Sequence, residues 1–295
     1  MTGGRRSWWL AAVLLGASGP ALGQPPTPGL VDSPCPRLQP DAAAVARGNA
    51  IAELVLTPMS PDAFVKAMAQ AQSTAPADGD VRELLARDWP NLCRYKEANA
   101  ALRGAPPPKV VFMGDSITEG WVRGDPALFA DGVVGRGIGG QTSPQMLVRF
   151  RQDVVALSPR VVHLMAGTND IAGNTGPATV QDYQNNILAM LDLARAHGIA
   201  VVVAGIPPSQ RLYWRGDLDP RPLIRELNAW LRATAAEQGL VFVDYGAVLA
   251  DAEGGLRADL GNDGVHPNRA GYAAMRPLAD RAIAAAVEHG SAPPR

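Results

Sequence analysis

The chain has no excess of charge of either sign, because its 27 basic and 28 acidic residues give a formal net charge of −1. Proteins that bind nucleic acid or an anionic membrane surface normally present a strongly basic patch. The charge balance therefore argues against both kinds of partner. Hydrophobic residues make up 47% of the 295 positions, which is enough for a sizeable core, so the composition also argues against a disordered chain.

Motifs for metals and nucleotides are missing as well. The four histidines are scattered, and the sequence contains neither an HExxH pair nor clustered cysteines, so we expect no metal site. Residues 135–140 are rich in glycine, but they lack the Gly-Lys-Ser/Thr ending of a phosphate-binding loop and do not fit the GxGxxG dinucleotide pattern. We therefore expect no cofactor.

The apolar run near the N-terminus is shorter than the roughly 20 residues of a membrane-spanning helix. It follows Arg5 and Arg6 and is followed by small residues up to Gly23, which is the pattern of a secretory signal peptide over residues 1–23. We expect cleavage near Gly23 and a periplasmic or secreted protein. An uncleaved anchor is the alternative, and the arginine pair leaves the choice between the general and the twin-arginine export route open.

Cysteine is almost absent, since only Cys35 and Cys93 occur. In an oxidising compartment we expect these two residues to form a disulfide. Two unrelated free thiols are the alternative, and titration of the exported protein would distinguish the two cases.

The N-terminal third divides into two parts after the expected signal peptide. Residues 24–40 are rich in proline and indicate an irregular arm, whereas residues 41–107 are rich in alanine and indicate a helical extension that ends at the prolines of residues 106–108. The predicted helices begin near Asp41, Ser60, Asp80 and Pro90. The extension could cover the sheet, form a dimer surface or simply pack.

Residues 108–288 have a different pattern, in which short β-branched runs are each followed by a longer amphipathic segment. The predicted strands are residues 110–113, 132–134, 161–166, 200–206 and 240–243. The predicted helices are residues 144–157, 179–197, 220–238 and 269–288. Continuously apolar strands are typical of sheets buried on both faces, so we expect an α/β fold with a mostly parallel five-stranded sheet. Residues 289–295 form a tail.

Polar residues follow the predicted strands where each strand ends. Ser116 follows the first strand, Gly140 the second and Asn169 the third, while Asp263 and His266 lie in the loop before the last helix. The carboxyl ends of parallel strands meet at one edge of a sheet, which is where such sheets bind ligands. We therefore expect these five residues to lie close together.

This set of residue types is typical of acyl transfer through serine. A serine hydroxyl is a weak nucleophile and needs an imidazole base that a carboxylate orients. We assign Ser116 as nucleophile, His266 as base and Asp263 as the orienting carboxylate. The donors to the oxyanion would be the backbone N–H groups of Ser116 and Gly140 and the side-chain amide of Asn169.

Several of these residues also have a purely structural explanation. Ser116 could cap a helix, with Glu119 completing a capping box. Gly140 could serve a turn with positive φ, and Asn169 could form a turn through its own side chain. The company of the other residues favours the catalytic interpretation, and His266 is the histidine that lies in a loop with a carboxylate three residues before it.

Other side chains are weaker candidates for substrate contact. Trp121, Tyr213 and Trp214 follow strand ends, so they could rim the same edge and stack on a sugar or an aromatic acyl group, with loop packing as the alternative. Arg136 and Arg211 could contact an acidic substrate, with solvation as the alternative.

These blocks together resemble the GDSL/SGNH hydrolase family over roughly residues 108–288. The matching blocks are Gly114-Asp115-Ser116-Ile117, Gly137-Ile138-Gly139-Gly140-Gln141-Thr142, Gly167-Thr168-Asn169-Asp170 and Asp263-Gly264-Val265-His266-Pro267. The resemblance implies a flavodoxin-like three-layer αβα sandwich, ester hydrolysis without a cofactor, and an oxyanion hole from Ser116, Gly140 and Asn169. Ile117 replaces the leucine of the named motif, and Gln141 stands where many members have aspartate.

The resemblance implies a serine carboxyl-ester hydrolase that removes a short acyl group, with acetyl as the expected group, from a small-molecule or carbohydrate ester. With the expected signal peptide, we expect this enzyme to be secreted. The alternatives are a lysophospholipase or thioesterase, an O-acyltransferase with a sugar hydroxyl as acceptor, and a non-catalytic glycan-binding protein. We expect no stable membrane insertion, and the sequence does not indicate an oligomeric state.

Overall fold

The computed structural model of the chain describes Cys35, residues 42–73, Ala86 and residues 88–290. The expected signal peptide, the expected arm apart from Cys35, the start of a helix near Asp80 and the last five residues of the chain lie outside the described residues. No helix of the described part is both long and apolar enough to cross a membrane.

The core is a five-stranded sheet in which every pair of neighbours is parallel. The strands are β1 (Val110–Gly114), β2 (Val133–Gly137), β3 (Val161–Met165), β4 (Ala200–Ala204) and β5 (Val241–Val243). Their order is β2-β1-β3-β4-β5, which is the flavodoxin-like order. The predicted fold class is confirmed, and the order reverses between β1 and β3, where such sheets bind ligands.

Helices pack on both faces of the sheet. The helices of the described part are α1 (Ala42–Leu56), α2 (Pro61–Ser73), α3 (Lys96–Ala101), α4 (Ser116–Gly124), α5 (Ser143–Asp153), α6 (Thr168–Ala172), α7 (Val180–Ala196), α8 (Arg221–Glu237), α9 (Gly246–Leu249) and α10 (Arg269–Gly290). Because side chains alternate along a strand, Val111 and Met113 of β1 pack against α5, α7 and α8, whereas Val110 and Phe112 pack against α4, α9 and α10.

The predicted boundaries differ from the structure in several elements. β2 extends to Gly137 instead of residue 134, because backbone pairing with β1 continues through two glycines that carry no apolar signal. β4 ends at Ala204 rather than at residue 206, and α5 ends at Asp153, after which Val155–Leu157 forms a 3-10 turn. The short helices α6 and α9 were not predicted, since four or five residues are too few to show a helical period.

The helix expected near Pro90 begins six residues later, at Lys96. The intervening residues form turns, in which the buried carboxylate of Asp88 accepts the N–H groups of Leu92 at 2.8 Å and Cys93 at 2.9 Å. These bonds favour a turn over a continuous helix. Cys93 is disulfide-bonded to Cys35, with the two Cα atoms 5.3 Å apart.

Asn262 attaches α1 to residues 108–288, which we call the sheet domain. Its side-chain amide donates to the carbonyl oxygens of Leu54 at 3.1 Å, Val55 at 3.0 Å and Thr57 at 2.8 Å. These carbonyls belong to the C-terminal end of the helix, where backbone acceptors lack partners within the helix. Leu56, in the same turn, is 1% exposed and belongs to the core on the face of the sheet that α4, α9 and α10 cover.

Two further contacts fix α1 along its length. Arg269 of α10 forms an ion pair with Glu53 at 2.8 Å, and Arg123 of α4 donates to Asn49 at 2.7 Å. The helix therefore lies across the ends of α4 and α10, beside the carboxyl edge of the sheet.

Candidate active site

The structure brings together the three side chains that the sequence suggests as nucleophile, base and orienting carboxylate. Ser116 Oγ lies 2.8 Å from His266 Nε2, and His266 Nδ1 lies 2.6 Å from Asp263 Oδ2. Ser116 begins α4 directly after β1, whereas the other two lie in the loop before α10. The side chain of Asp263 is 3% exposed and that of His266 is 13% exposed, so the chain of hydrogen bonds is largely shielded from water.

The turn between β1 and α4 leaves the Ser116 hydroxyl available to His266. Asp115, rather than Ser116, is the N-cap, and its Oδ1 accepts the N–H of Ile117 at 2.9 Å. The suggested capping box of Ser116 and Glu119 does not form. Glu119 instead accepts the N–H of Gly139 at 2.8 Å, so it connects α4 to the loop after β2.

The loop that carries the imidazole closes around the carboxylate of Asp263. Its Oδ1 accepts the N–H groups of Val265 at 2.9 Å and His266 at 2.8 Å, which leaves Oδ2 facing the ring. Gly264 lies between them with φ of +80°, a left-handed conformation that favours glycine. The sequence Asp-Gly-Val-His therefore folds locally into a turn that presents the ring to Ser116.

The charges of this pair support each other. Burial on its own lowers the pKa of His266, but the Asp263 carboxylate and its hydrogen bond outweigh burial and raise that pKa above the ordinary 6.5. Burial likewise raises the pKa of Asp263, and His266 with the two backbone donors outweighs it, so this pKa is lowered. An ionised Asp263 accepts a hydrogen bond from Nδ1–H of the neutral ring, which leaves Nε2 free to accept the Ser116 proton.

Asp115 is a buried carboxylate that was not among the predicted site residues, although it directly precedes Ser116. Burial raises its pKa to about 6, against the opposing effects of the Ile117 N–H and of His266. Its Oδ2 accepts a hydrogen bond from Asn169 Nδ2 at 3.2 Å. Asp115 therefore links the serine turn to the loop after β3.

The sequence suggests two backbone N–H groups as oxyanion donors. Within the described part of the chain, the N–H groups of Ser116 and Gly140 donate no hydrogen bond. Gly140 has φ of +76° and is exposed, so a turn with positive φ and an available N–H occur at the same residue.

Asn169 is close to both of these loops, but its side-chain amide is engaged. It is 2% exposed, and its Nδ2 donates to the carbonyl of Gln141 at 3.0 Å as well as to Asp115. Its Oδ1 accepts a hydrogen bond from Asn174 at 2.7 Å. To donate to a substrate, the Asn169 amide would have to exchange one of its two present acceptors.

A buried arginine supports the loop after β2. Arg149 of α5 has no exposed side-chain surface, and it donates to the carbonyl of Gly114 at 2.8 Å, to Gln141 Oε1 and to Asp153 at 3.0 Å. Gln141 in turn donates to the carbonyl of Pro90 at 2.7 Å. The signal in the sequence is the Arg–Asp pair four residues apart on the inner face of a predicted helix.

The three candidate aromatic residues lie in different surroundings. Trp121 is fully buried and stacks on Tyr272 with ring centroids 5.6 Å apart, so the expectation that it rims the site is wrong: it lies on the inner face of α4. Tyr213 is 54% exposed and lines the cavity beside Ser116. Trp214 is half-buried, and its Nε1 donates to Asn174 at 2.9 Å.

The two candidate arginines do not line this cavity. Arg136 is 5% exposed, donates to Asn99 at 2.9 Å and lies over the ring of Tyr95, so the expectation that it contacts a substrate is wrong. Arg211 is exposed.

A cavity of about 490 Å³ opens beside Ser116 and His266. Its walls come partly from the sheet domain and partly from α1 and α2 of the extension. Among the described residues, no group of three or more histidine, cysteine, aspartate or glutamate side chains is placed to hold a metal ion.

The chain is similar to known proteins over the sheet domain. The model of the GDSL-like lipase/acylhydrolase family matches residues 112–274. The chain is 44% identical to a proposed acylhydrolase of Bacteroides fragilis, with a TM-score of 0.64 and coverage of 68% of this chain and 99% of that one. It is 41% identical to a GDSL-like lipase of Bacteroides thetaiotaomicron, with a TM-score of 0.64 and coverage of 68% and 100%.

A curated relative matches a shorter segment. The chain is 35% identical over 74 residues to the uncharacterized lipoprotein YqeF of Bacillus subtilis, which is 24% of this chain and 30% of that protein. The two solved structures are covered almost completely, so about a third of this chain has no counterpart in either of them. Both α1 and α2 lie before the residues that the family model matches.

Proposed function

The chain belongs to the GDSL-like lipase/acylhydrolase family, and from this premise we propose that it is a serine esterase that hydrolyses short acyl esters through an acyl-enzyme on Ser116. The observation that carries the proposal is the continuous hydrogen-bonded chain from Asp263 through His266 to the Ser116 hydroxyl. A serine with these two partners in this order has what acyl transfer requires.

The proposed reaction has two halves. Ser116 Oγ attacks the ester carbonyl while its proton passes to His266 Nε2, and the imidazolium then gives that proton to the leaving alcohol. In the second half, His266 takes a proton from water as the water attacks the acyl-enzyme, and Ser116 recovers its proton when the acid leaves. Asp263 stays ionised and stabilises the imidazolium in both halves.

The proposed oxyanion donors are the Ser116 and Gly140 N–H groups, which have no other acceptor in the described part of the chain. We assign the Asn169 amide as the third donor, which would exchange the Gln141 carbonyl for the substrate oxygen. The exchange leaves the buried Gln141 carbonyl without this donor, and the stronger hydrogen bond to an acceptor with a developing charge offsets that loss.

We also propose that the protein is exported, and we propose a class of ester substrate. The pattern of residues 1–23 and the similarity of a 74-residue segment to a lipoprotein support an exported protein. The family, of lipases and acylhydrolases, supports an ester as substrate, and we propose an ester of a small molecule or a carbohydrate. Esters of sugars with small acids belong to this class, and the Tyr213 ring at the cavity is suited to packing on a sugar.

Replacement of the nucleophile tests the proposal. Ser116→Ala should lower kcat/KM for p-nitrophenyl butyrate by about 10⁴-fold or more, because the three side chains act as a unit. The matched control is Ser158→Ala, which removes a hydroxyl before the amino end of β3, at the opposite edge of the sheet, and should retain activity. Full activity in Ser116→Ala, or a wild-type enzyme that releases no free acid, would refute the assignment.

A further inference from the structure

The cavity beside Ser116 is too large for an acetyl group alone. Its volume of about 490 Å³ falls in the range of roughly 300–1,000 Å³ that is typical of sites for whole small molecules. An acetyl group on Ser116 would leave most of this space to water. The size of the cavity therefore points to a larger group on one half of the ester.

The wall that the extension contributes is mostly apolar. The apolar lining residues from α1 and α2 are Val45, Ile51, Ala52, Val55, Leu56 and Met68. Together with Gly48 and Asn49, which also line the cavity, those of α1 recur at intervals of three and four residues, so one face of this helix is turned toward the catalytic serine. Contact between this wall and an apolar ligand is favourable because both surfaces are removed from water, whereas a polar ligand would lose hydrogen bonds to water there.

The charged side chains in the lining are engaged with protein partners. Arg94 forms an ion pair with Glu119 at 2.8 Å, and the other oxygen of Glu119 accepts the N–H of Gly139. Arg123 donates to Asn49 of α1. The charged groups of Arg94, Glu119 and Arg123 therefore bind protein partners, and the apolar wall of α1 is suited to an uncharged ligand.

The apolar wall lies outside the part of the chain that the family shares. The family model begins at residue 112, after α1 and α2. The substrate of a relative that lacks this wall therefore says little about the group that fills the cavity here. The wall is nevertheless held firmly in place, because Asn262, directly before Asp263, binds the C-terminal end of α1.

We propose that the helical extension forms one wall of a pocket for a linear apolar chain of about four to eight carbons on the ester substrate. This inference rests on the proposed esterase function. It predicts, on one half of the ester, a longer apolar chain than the acetyl group that the family resemblance implies. The chain could belong to the acid or to the alcohol, and the cavity accepts the same chemistry from either source.

The first experiment is an ester panel with two arms on the wild-type enzyme. One arm lengthens the acid in p-nitrophenyl esters from acetate to octanoate, and the other lengthens the alcohol in alkyl acetates from ethyl to octyl. In one arm kcat/KM should rise by about fourfold per added methylene, the factor that corresponds to about 0.8 kcal/mol of transfer free energy. A highest kcat/KM for the shortest ester in both arms overturns the inference.

The second experiment tests whether α1 causes the preference. Ala52→Trp places a large ring in the cavity. In the arm where kcat/KM rises with chain length, this variant should lower the ratio of kcat/KM for the ester with the six-carbon chain (the hexyl-chain ester) to kcat/KM for the shortest ester by about tenfold or more. The matched control is Ala50→Trp, which places the same ring on the exposed side of the same helix and should leave the ratio unchanged. An equal ratio in both variants overturns the role of the extension.

A reciprocal variant covers the case in which Ala52→Trp does not fold. Ile51→Ala enlarges the cavity from the same helix and should move the optimum to a longer chain by one or more carbons. An optimum that stays at the wild-type length counts against the inference. Failure of the esterase assignment has a different signature, since hydrolysis would then survive Ser116→Ala or be absent from the wild-type enzyme for every ester.

Discussion

The sheet domain and the helical extension are built in different ways. In β1 and β3 every residue is buried, and the hydrogen bonds that join Ser116, His266 and Asp263 lie within the same domain. The described side chains of α1 and α2 are mostly exposed or half-buried, and the buried apolar ones among them are Leu56 and Phe64. The arrangement of Ser116, His266 and Asp263 therefore depends on contacts within the domain, whereas the shape of the cavity depends on both regions.

Two consecutive residues, Asn262 and Asp263, contact different regions of the molecule. Asp263 faces His266 within the domain, and Asn262 faces the end of α1 in the extension. Both lie in the same buried loop, at 3% and 8% exposure. Substitution of one or the other should therefore disturb either the chemistry or the cavity wall.

The largest effect is expected from Asp263→Asn, which disturbs only the domain side of the comparison. An amide at this position no longer stabilises the imidazolium and favours the wrong tautomer of His266, so kcat/KM should fall by about 10⁴-fold for short and long esters alike. Steady-state kinetics with both esters measures the loss. Asp259→Asn, at an exposed aspartate paired with Arg257, is the control and should change kcat/KM little. A loss limited to the longer ester would contradict the division.

A smaller effect is expected from pH. The reaction needs neutral His266, whose pKa is raised above 6.5 by the Asp263 carboxylate in spite of burial. As pH falls below this raised value the ring is protonated, so kcat/KM should decrease tenfold per pH unit, or about a hundredfold over two units. The midpoint of the acid limb should lie above 6.5 and be the same for short and long esters. A midpoint below 6.5, or one that depends on chain length, would contradict this account.

The sequence was sufficient for the elements with a clear period and for the polar residues at strand ends. Five apolar runs predicted five strands. The parallel direction of neighbouring strands follows because each run is separated from the next by enough residues for a helix. The short local pattern Asp-Gly-Val-His is enough by itself to predict a carboxylate beside an imidazole. These features depend on neighbouring residues, which is why a sequence shows them.

Features that depend on contacts across the chain were not predictable. Trp121 follows a strand end in the sequence, as a residue at the rim of the site would. It lies on the inner face of α4, however, so its side chain packs in the core against Tyr272. Arg136 is polar by type, but it is buried over the ring of Tyr95 and donates to Asn99, both more than thirty residues away in sequence. The function of the extension was open for the same reason, since no local pattern pairs α1 with Asn262.

The smallest effect is expected from Asn262→Ala, which disturbs only the extension side of the comparison. Three carbonyl groups at the end of α1 lose a donor, so the free energy of unfolding should fall by about 1–3 kcal/mol, as chemical denaturation can measure. A less firmly held wall should lower the ratio of kcat/KM for the hexyl-chain ester over the shortest ester by up to about tenfold.

Asn268→Ala is the matched control for this last substitution. Asn268 is buried in the same loop region and also binds backbone groups, the carbonyl of Asp259 at 3.1 Å and the N–H of Gly271 at 3.0 Å, but both belong to the domain. It should therefore lose a similar free energy of unfolding without a change in the ratio. If both variants change the ratio equally, loss of stability explains the effect, and the cavity wall does not depend on Asn262.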